Sequence, residues 1–104
     1  MFADLSGKVA IVTGGSRGIG QATVVALAEA GYNVVFSYAS NKAAASEVEN
    51  TARVLGVKCR GIQADSGSQL ESQSLIDQTM EEFGRIDVLV NNAGITRDGL
   101  LVRM

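Results

Sequence analysis

Lys8-Val9-Ala10-Ile11-Val12-Thr13-Gly14-Gly15-Ser16-Arg17-Gly18-Ile19-Gly20 (KVAIVTGGSRGIG, 8–20) combines a strand, a turn and the start of a helix in one short passage. Lys8 to Thr13 is a continuous run rich in β-branched residues, as expected of a strand covered on both faces of a parallel sheet. Gly14 permits a sharp exit from that strand. Gly18 to Ala30 reads as the helix that follows. Gly18 lets backbone N–H groups approach a pyrophosphate with no Cβ in the way, and Gly20 lets the helix pack close to the sheet. The positive helix N-terminus then faces the phosphates. A glycine pattern alone matches many loops, and a turn with no ligand is the plainer alternative. The position between strand and helix is what favours a dinucleotide turn. No Gly-Lys-Ser/Thr closes it, so it is not the nucleoside-triphosphate type of phosphate loop.

Outward from this passage, short apolar runs alternate with longer amphipathic ones. The helix from Gly18 to Ala30 is apolar on almost every face (Ile19, Ala22, Val24, Val25, Ala26, Leu27), which predicts heavy coverage, and Gly31 ends it. Asn33 to Tyr38 reads as a second strand. Asn41 to Leu55 reads as a helix burying Ala44, Val48, Thr51, Ala52 and Leu55, capped by Ser40 or Asn41 and ended by Gly56. Val57 to Ala64 is a third strand, and its Lys58, Arg60 and Gly61 suggest an edge. Ser66 or Ser68 starts a third helix that buries Leu75, Ile76, Met80 and Phe83 and stops at Gly84. Arg85 to Val90 is the fourth strand. The expected fold is α/β: half of a doubly wound Rossmann fold, four parallel strands in the order 3-2-1-4 with three helices. Ile95 to Met104 carries no evident fifth strand, so the fourth strand is expected to leave its outer edge unpaired. Marginal stability, or association through that edge, would follow.

The bulk numbers narrow the function classes. The 104 residues suffice for one small domain, and the net charge is −2 with mixed signs along the chain. No basic stripe suggests nucleic acid, and no apolar run approaches a membrane span. There is no His, and the single Cys59 has no internal partner, which argues against a conventional metal site or a Cys/His nucleophile. These features, with no signal peptide at the N-terminus, fit a reducing, cytoplasmic setting. The absence of proline argues against long disordered linkers.

The second strand end decides which dinucleotide is expected. An acidic residue there, about 20 residues past the glycines, would bind the ribose 2′-hydroxyl of NAD. Ser37-Tyr38-Ala39-Ser40-Asn41-Lys42 holds no carboxylate. Arg17 and Lys42 supply positive charge instead, which favours the 2′-phosphate of NADP(H), unless both are ordinary solvated charges. Tyr38 and Lys42 have Tyr-x-x-x-Lys spacing, but a strand end and a helix start do not put them on one helical face.

Thr13 to Gly20 resembles the TGxxxGxG turn of the short-chain dehydrogenase/reductase family. Asn91-Asn92-Ala93-Gly94 is similar to that family's NNAG signature, and Asp65 to its adenine-contacting acidic residue. Within the family, Ile95-Thr96-Arg97-Asp98 and the Leu100-Leu101-Val102-Arg103-Met104 segment resemble the 3-oxoacyl-[acyl-carrier-protein] reductases of fatty-acid synthesis. The resemblance implies that Gly14, Ser16, Arg17, Gly18, Ile19 and Gly20 line the pyrophosphate and 2′-phosphate. Asp65 and Ser66 would hold adenine; Asn92, Ala93 and Gly94 would lie along the ribose nearer the nicotinamide, with Asn91 bracing the strand end. It further implies an acyl-carrier-protein-linked substrate and homo-oligomers in full-length members. The family's catalytic Ser and helical Tyr-x-x-x-Lys have no counterpart in these residues. The chain is thus expected to be the N-terminal cofactor-binding part of one Rossmann-type domain, without catalytic or metal-binding residues; a non-enzymatic nucleotide-binding half-domain, or a short-chain reductase of another carbonyl substrate such as acetoacetyl-CoA, is the alternative reading.

Overall fold

Val9 to Thr13 forms strand β1 because both its faces are covered: Val9, Ala10, Ile11 and Val12 are all buried. The computed structural model describes residues 7–14, 18–65 and 68–91, and the backbone of 101–103. After β1 come α1 (Gly18–Ala30), β2 (Asn33–Tyr38), α2 (Lys42–Val54), β3 (Cys59–Gln63), α3 (Gln69–Phe83), β4 (Val88–Asn91) and β5 (Leu101–Arg103).

The sheet order is β3-β2-β1-β4-β5, and the first four strands are parallel, as the alternation of strands and helices predicts. β1 is central. Its register sets Val12 beside Phe36 on one side and Thr13 beside Asn91 on the other. Successive side chains of a strand point to opposite faces. Ala10 and Val12 accordingly join Val24, Ala28, Val48 and Ala52 in a core under α1 and α2. Ile11 joins Val35 and Leu75 in a second core under α3. Two helices therefore cover one face and the third covers the other.

β5 was not expected. It pairs antiparallel with β4, setting Asn91 beside Leu101 and Leu89 beside Arg103, so the outer edge of β4 is occupied rather than open. A strand's unpaired N–H and C=O groups invite a partner. The intervening stretch 92–100 is shorter than the dozen or so residues a parallel crossover needs, so a local return has to be antiparallel.

The helix faces also differ in detail. α1 buries only Gly20, Val24 and Ala28, and Ile19 is 61% exposed. It packs against the sheet and α2 on one side. Among the described residues, its other flank opens as an apolar groove shared with Val88 and Val90. α2 buries Ala45, Val48 and Ala52; Ala44 is only half-buried, and Thr51 and Leu55 are exposed. α3 buries Leu75 and Thr79, leaves Ile76 and Phe83 half-buried and exposes Met80. A reading of apolar residues alone passes over Thr79, whose hydroxyl is satisfied inside the helix by donating to the Leu75 carbonyl at 2.8 Å.

β3 is an edge strand, as its polar interruptions suggest. Two of its outward backbone groups are met by α2. The Gly61 amide donates to Glu49 Oε2 at 2.7 Å, and Arg53 Nη2 donates to the Cys59 carbonyl at 3.1 Å. At the opposite end of the sheet from the glycine turn, Asp87 ties β4 to β1. Its carboxylate accepts from the Val9 amide at 2.8 Å, and its own amide donates to the Val9 carbonyl at 2.8 Å.

Candidate functional site

Because β1 to β4 run parallel, their carboxyl ends share one edge of the sheet. Gly14, the Tyr38–Lys42 segment, Asp65 and Asn91 all lie along it. The chain first winds from β1 outward to β3, then crosses back to place β4 on the other side of β1. This reversal splits the connections leaving β1 and β4, and such a switch point is where open α/β sheets bind ligands.

The glycine turn begins there. Gly14 has φ 68° and Gly18 has φ 63°, a left-handed backbone that other residues adopt only with strain. Among the described residues a Cβ on Gly18 would meet no atom within 4 Å, so it is the backbone angle and not crowding that demands glycine there. Gly18 and Ile19 open α1 exposed, and Gly20 is buried beneath it, as its proposed packing role requires. The first turn of α1 holds no acidic residue to oppose an anion.

Both neighbours of β1 hold its exit. On the β2 side, the Gly14 amide donates to Ser37 Oγ at 3.1 Å. On the β4 side, Thr13 Oγ1 donates to Asn91 Oδ1 at 3.1 Å. Asn91 thus sits at the strand end, in contact with the residue before the glycines. On the α3 side of this junction lies a hollow of about 140 Å³, lined by Ile11, Thr13, Leu75, Ile76, Leu89 and Asn91, together with Ser72.

The carboxyl ends of β2 and β3 are ordered by helix caps. Asn41 caps α2 by accepting from the Ala44 amide at 3.0 Å, which leaves Lys42 exposed as the first helical residue. Tyr38 is the buried last residue of β2, so it and Lys42 lie on different elements, as expected of a chance Tyr-x-x-x-Lys spacing. Asp65 is exposed just after β3. Its carbonyl accepts from the Ser68 amide at 2.9 Å, and its amide donates to Glu71 Oε1 at 2.9 Å. Ser68 in turn caps α3 by accepting from the Glu71 amide. The Ser-x-x-Glu spacing from 68 to 71 is the sequence signal of a capping box, but here the Glu71 carboxylate accepts from the Asp65 amide while the Ser68 amide donates to the Asp65 carbonyl. Ser37 carries no comparable local signal. Ser16, Arg17, Ser66, Asn92, Ala93 and Gly94 lie outside the described residues, so their expected roles have no geometry here.

A larger hollow, about 480 Å³, lies on the outer edge of β3. Its charges already serve one another and the strand: Arg60 pairs with Glu82 at 2.8 Å, while Glu49 and Arg53 cap β3. Cys59 lies in its wall, with burial, and then Glu49, pushing the thiol up to about 12. It is therefore a thiol and not a thiolate at neutral pH. Among the described residues no cluster of Cys, Asp and Glu could hold a metal ion, and no helix is long and apolar enough to cross a membrane.

Comparison with known proteins agrees with this geometry. The short chain dehydrogenase family matches residues 8–104. A 3-oxoacyl-[acyl-carrier-protein] reductase of Staphylococcus aureus is 48% identical over 97 residues, which are 93% of this chain and 39% of that protein. The Synechocystis enzyme of the same name is 50% identical over 100 residues, 96% of this chain and 40% of that protein. The crystal structure of a short chain dehydrogenase from Burkholderia cenocepacia in complex with NADP is 43% identical, with a TM-score of 0.84 over 89% of this chain and 38% of that one. The chain thus spans about two-fifths of the length of these relatives. With the glycine turn at the switch point, the strand order and the match over nearly its whole length, the chain belongs to the short-chain dehydrogenase/reductase family.

Proposed function

We propose that these residues bind NADP(H) and form the cofactor-binding part of a reductase acting on 3-oxoacyl-[acyl-carrier-protein]. The observation that carries the reading is the pair of left-handed glycines, 14 and 18, opening α1 beside the β1/β4 switch point. Backbone N–H groups and the helix dipole there suit a pyrophosphate. Arg17, Lys42 and a second strand end without a carboxylate favour the 2′-phosphate. Ser16, Ile19 and Gly20 line the same turn in this reading. Asp65 and Ser66 face adenine, and Asn92 to Gly94 follow the ribose toward the nicotinamide. The printed names of the Staphylococcus and Synechocystis relatives support the acyl-carrier-protein substrate, and the Burkholderia neighbour supports NADP.

When bound, the nicotinamide supplies the hydride. Carbonyl reduction also needs a positioned acid for the developing alkoxide. This reading puts the nicotinamide near Asn92 to Gly94, whereas Tyr38 ends β2, so residues 1–104 taken alone are expected to bind cofactor without reducing substrate. The reading places the protein in the cytoplasm, and full-length members of the family are expected to be homo-oligomers. Titration of the chain into NADPH and NADH, followed by nicotinamide fluorescence, tests it. Tighter binding of NADPH is expected; equal affinity removes the roles given to Arg17 and Lys42. Turnover of a 3-oxoacyl thioester by this chain overturns the claim of inactivity.

A further inference from the structure

β2 contains one anomaly. A strand with neighbours on both sides and helices over both faces is ordinarily apolar throughout. Val34, Val35, Phe36 and Tyr38 obey this, but Ser37 between them is 2% exposed. Burying a hydroxyl costs free energy unless it is hydrogen-bonded. A valine or alanine would fill the same place in the sheet without that cost. The hydroxyl has a specific partner: Ser37 Oγ accepts from the Gly14 amide at 3.1 Å, across 23 positions of sequence.

Gly14 is where the chain leaves β1, and its φ of 68° sets the direction of departure. Four residues later Gly18 opens α1. The direction in which the chain leaves Gly14 bears on how it enters α1, whose N-terminal N–H groups suit a pyrophosphate. On the β4 side of the same exit, the side chain of Thr13 meets that of Asn91. Ser37 is thus a group from a neighbouring strand that bonds directly to the main chain at the start of the turn.

We propose that Ser37 is a positioning residue for dinucleotide binding: its hydroxyl fixes the Gly14 amide, and through it the orientation of the pyrophosphate-binding turn. This rests on the cofactor reading above. A residue that shapes the turn should affect ligands that carry a pyrophosphate and spare those that do not. A merely structural role would weaken both alike.

The test is Ser37→Ala in the 104-residue chain, titrated with NADP+ and with adenosine 2′-monophosphate by calorimetry well below the unfolding midpoint of either protein. Loss of one hydrogen bond predicts a Kd for NADP+ raised roughly 3- to 10-fold, with adenosine 2′-monophosphate changed less than about 2-fold. Equal losses for the two ligands, or none for NADP+, overturn the proposal. Binding of neither ligand by the parent chain removes the cofactor reading, and the affinity consequence with it. Hydrogen exchange at the Gly14 amide then decides the clamp alone: acceleration in Ser37→Ala supports it, and unchanged exchange overturns it.

Discussion

Gly61 gives a prediction whose size can be worked from coordinates. It pairs with Phe36 across the β2/β3 ladder, and a Cβ built on it would lie 2.8 Å from Phe36 Cζ and 3.0 Å from Cε2. The ring cannot move aside easily, because Phe36 is fully buried in the core beneath α1 and α2. Gly61→Ala therefore overpacks a closed site, which costs roughly 1–3 kcal/mol. Opposing this, alanine restricts the unfolded chain, worth about 0.4–1 kcal/mol in favour of folding, since Gly61 has no positive φ to forbid it. The overpacking prevails, with a net loss of about 1–2 kcal/mol. For a chain of this size that lowers the midpoint of thermal unfolding on the order of 5–15 °C. Circular dichroism melts of parent, Gly61→Ala, Phe36→Leu and the double variant measure it. Phe36→Leu destabilises by itself, but in its background Gly61→Ala should cost much less. An alanine variant as stable as the parent, or a double variant whose losses simply add, would refute the close approach of ring and strand.

Three further outcomes are expected. Arg17→Ala should weaken NADP+ binding more than NAD+ binding in paired titrations, and equal losses would count against its place at the 2′-phosphate. The Arg85 side chain, and after it the Val9 amide, hold the Asp87 carboxyl below the usual carboxylate range. Its contribution to stability is thus present above the unfolded value near pH 3.9 and is lost as pH falls through the lower folded value. Thermal midpoints of parent and Asp87→Asn, measured from pH 7 to pH 2, should converge at the acid end; a constant gap would contradict this staple of β1 and β4. Cys59, with its thiol pushed up to about 12, should resist iodoacetamide in the native chain at pH 8 and react once the chain is unfolded in urea. Because only the unfolded thiol ionises between about pH 8.5 and 12, stability should also fall as pH rises through that window. Rapid native alkylation would show that the site is open.

The local features were readable because their causes are local. The strand–turn–helix passage from Lys8 to Gly20 declares a parallel sheet and a left-handed glycine turn between β1 and α1. Asn41 caps α2 as its position suggests, and Gly84 closes α3 in the left-handed conformation. The strand order and the edge position of β3 followed from the alternation and from polar residues in one strand. What remained hidden depends on residues far apart in sequence. The exact buried stripe of each helix is set by what the sheet and the other helices offer it, so Ala45 replaced Ala44 and Thr79 replaced Met80 in the core. β5 exists because a short return can satisfy the edge of β4, an edge no local pattern describes. Ser37 became legible only when β1 and β2 came side by side and Gly14 met its hydroxyl. Local sequence determines which elements form and where they turn, through periodicity and backbone preference. The register between strands determines which side chain reaches which amide, and that is decided only when the sheet is assembled.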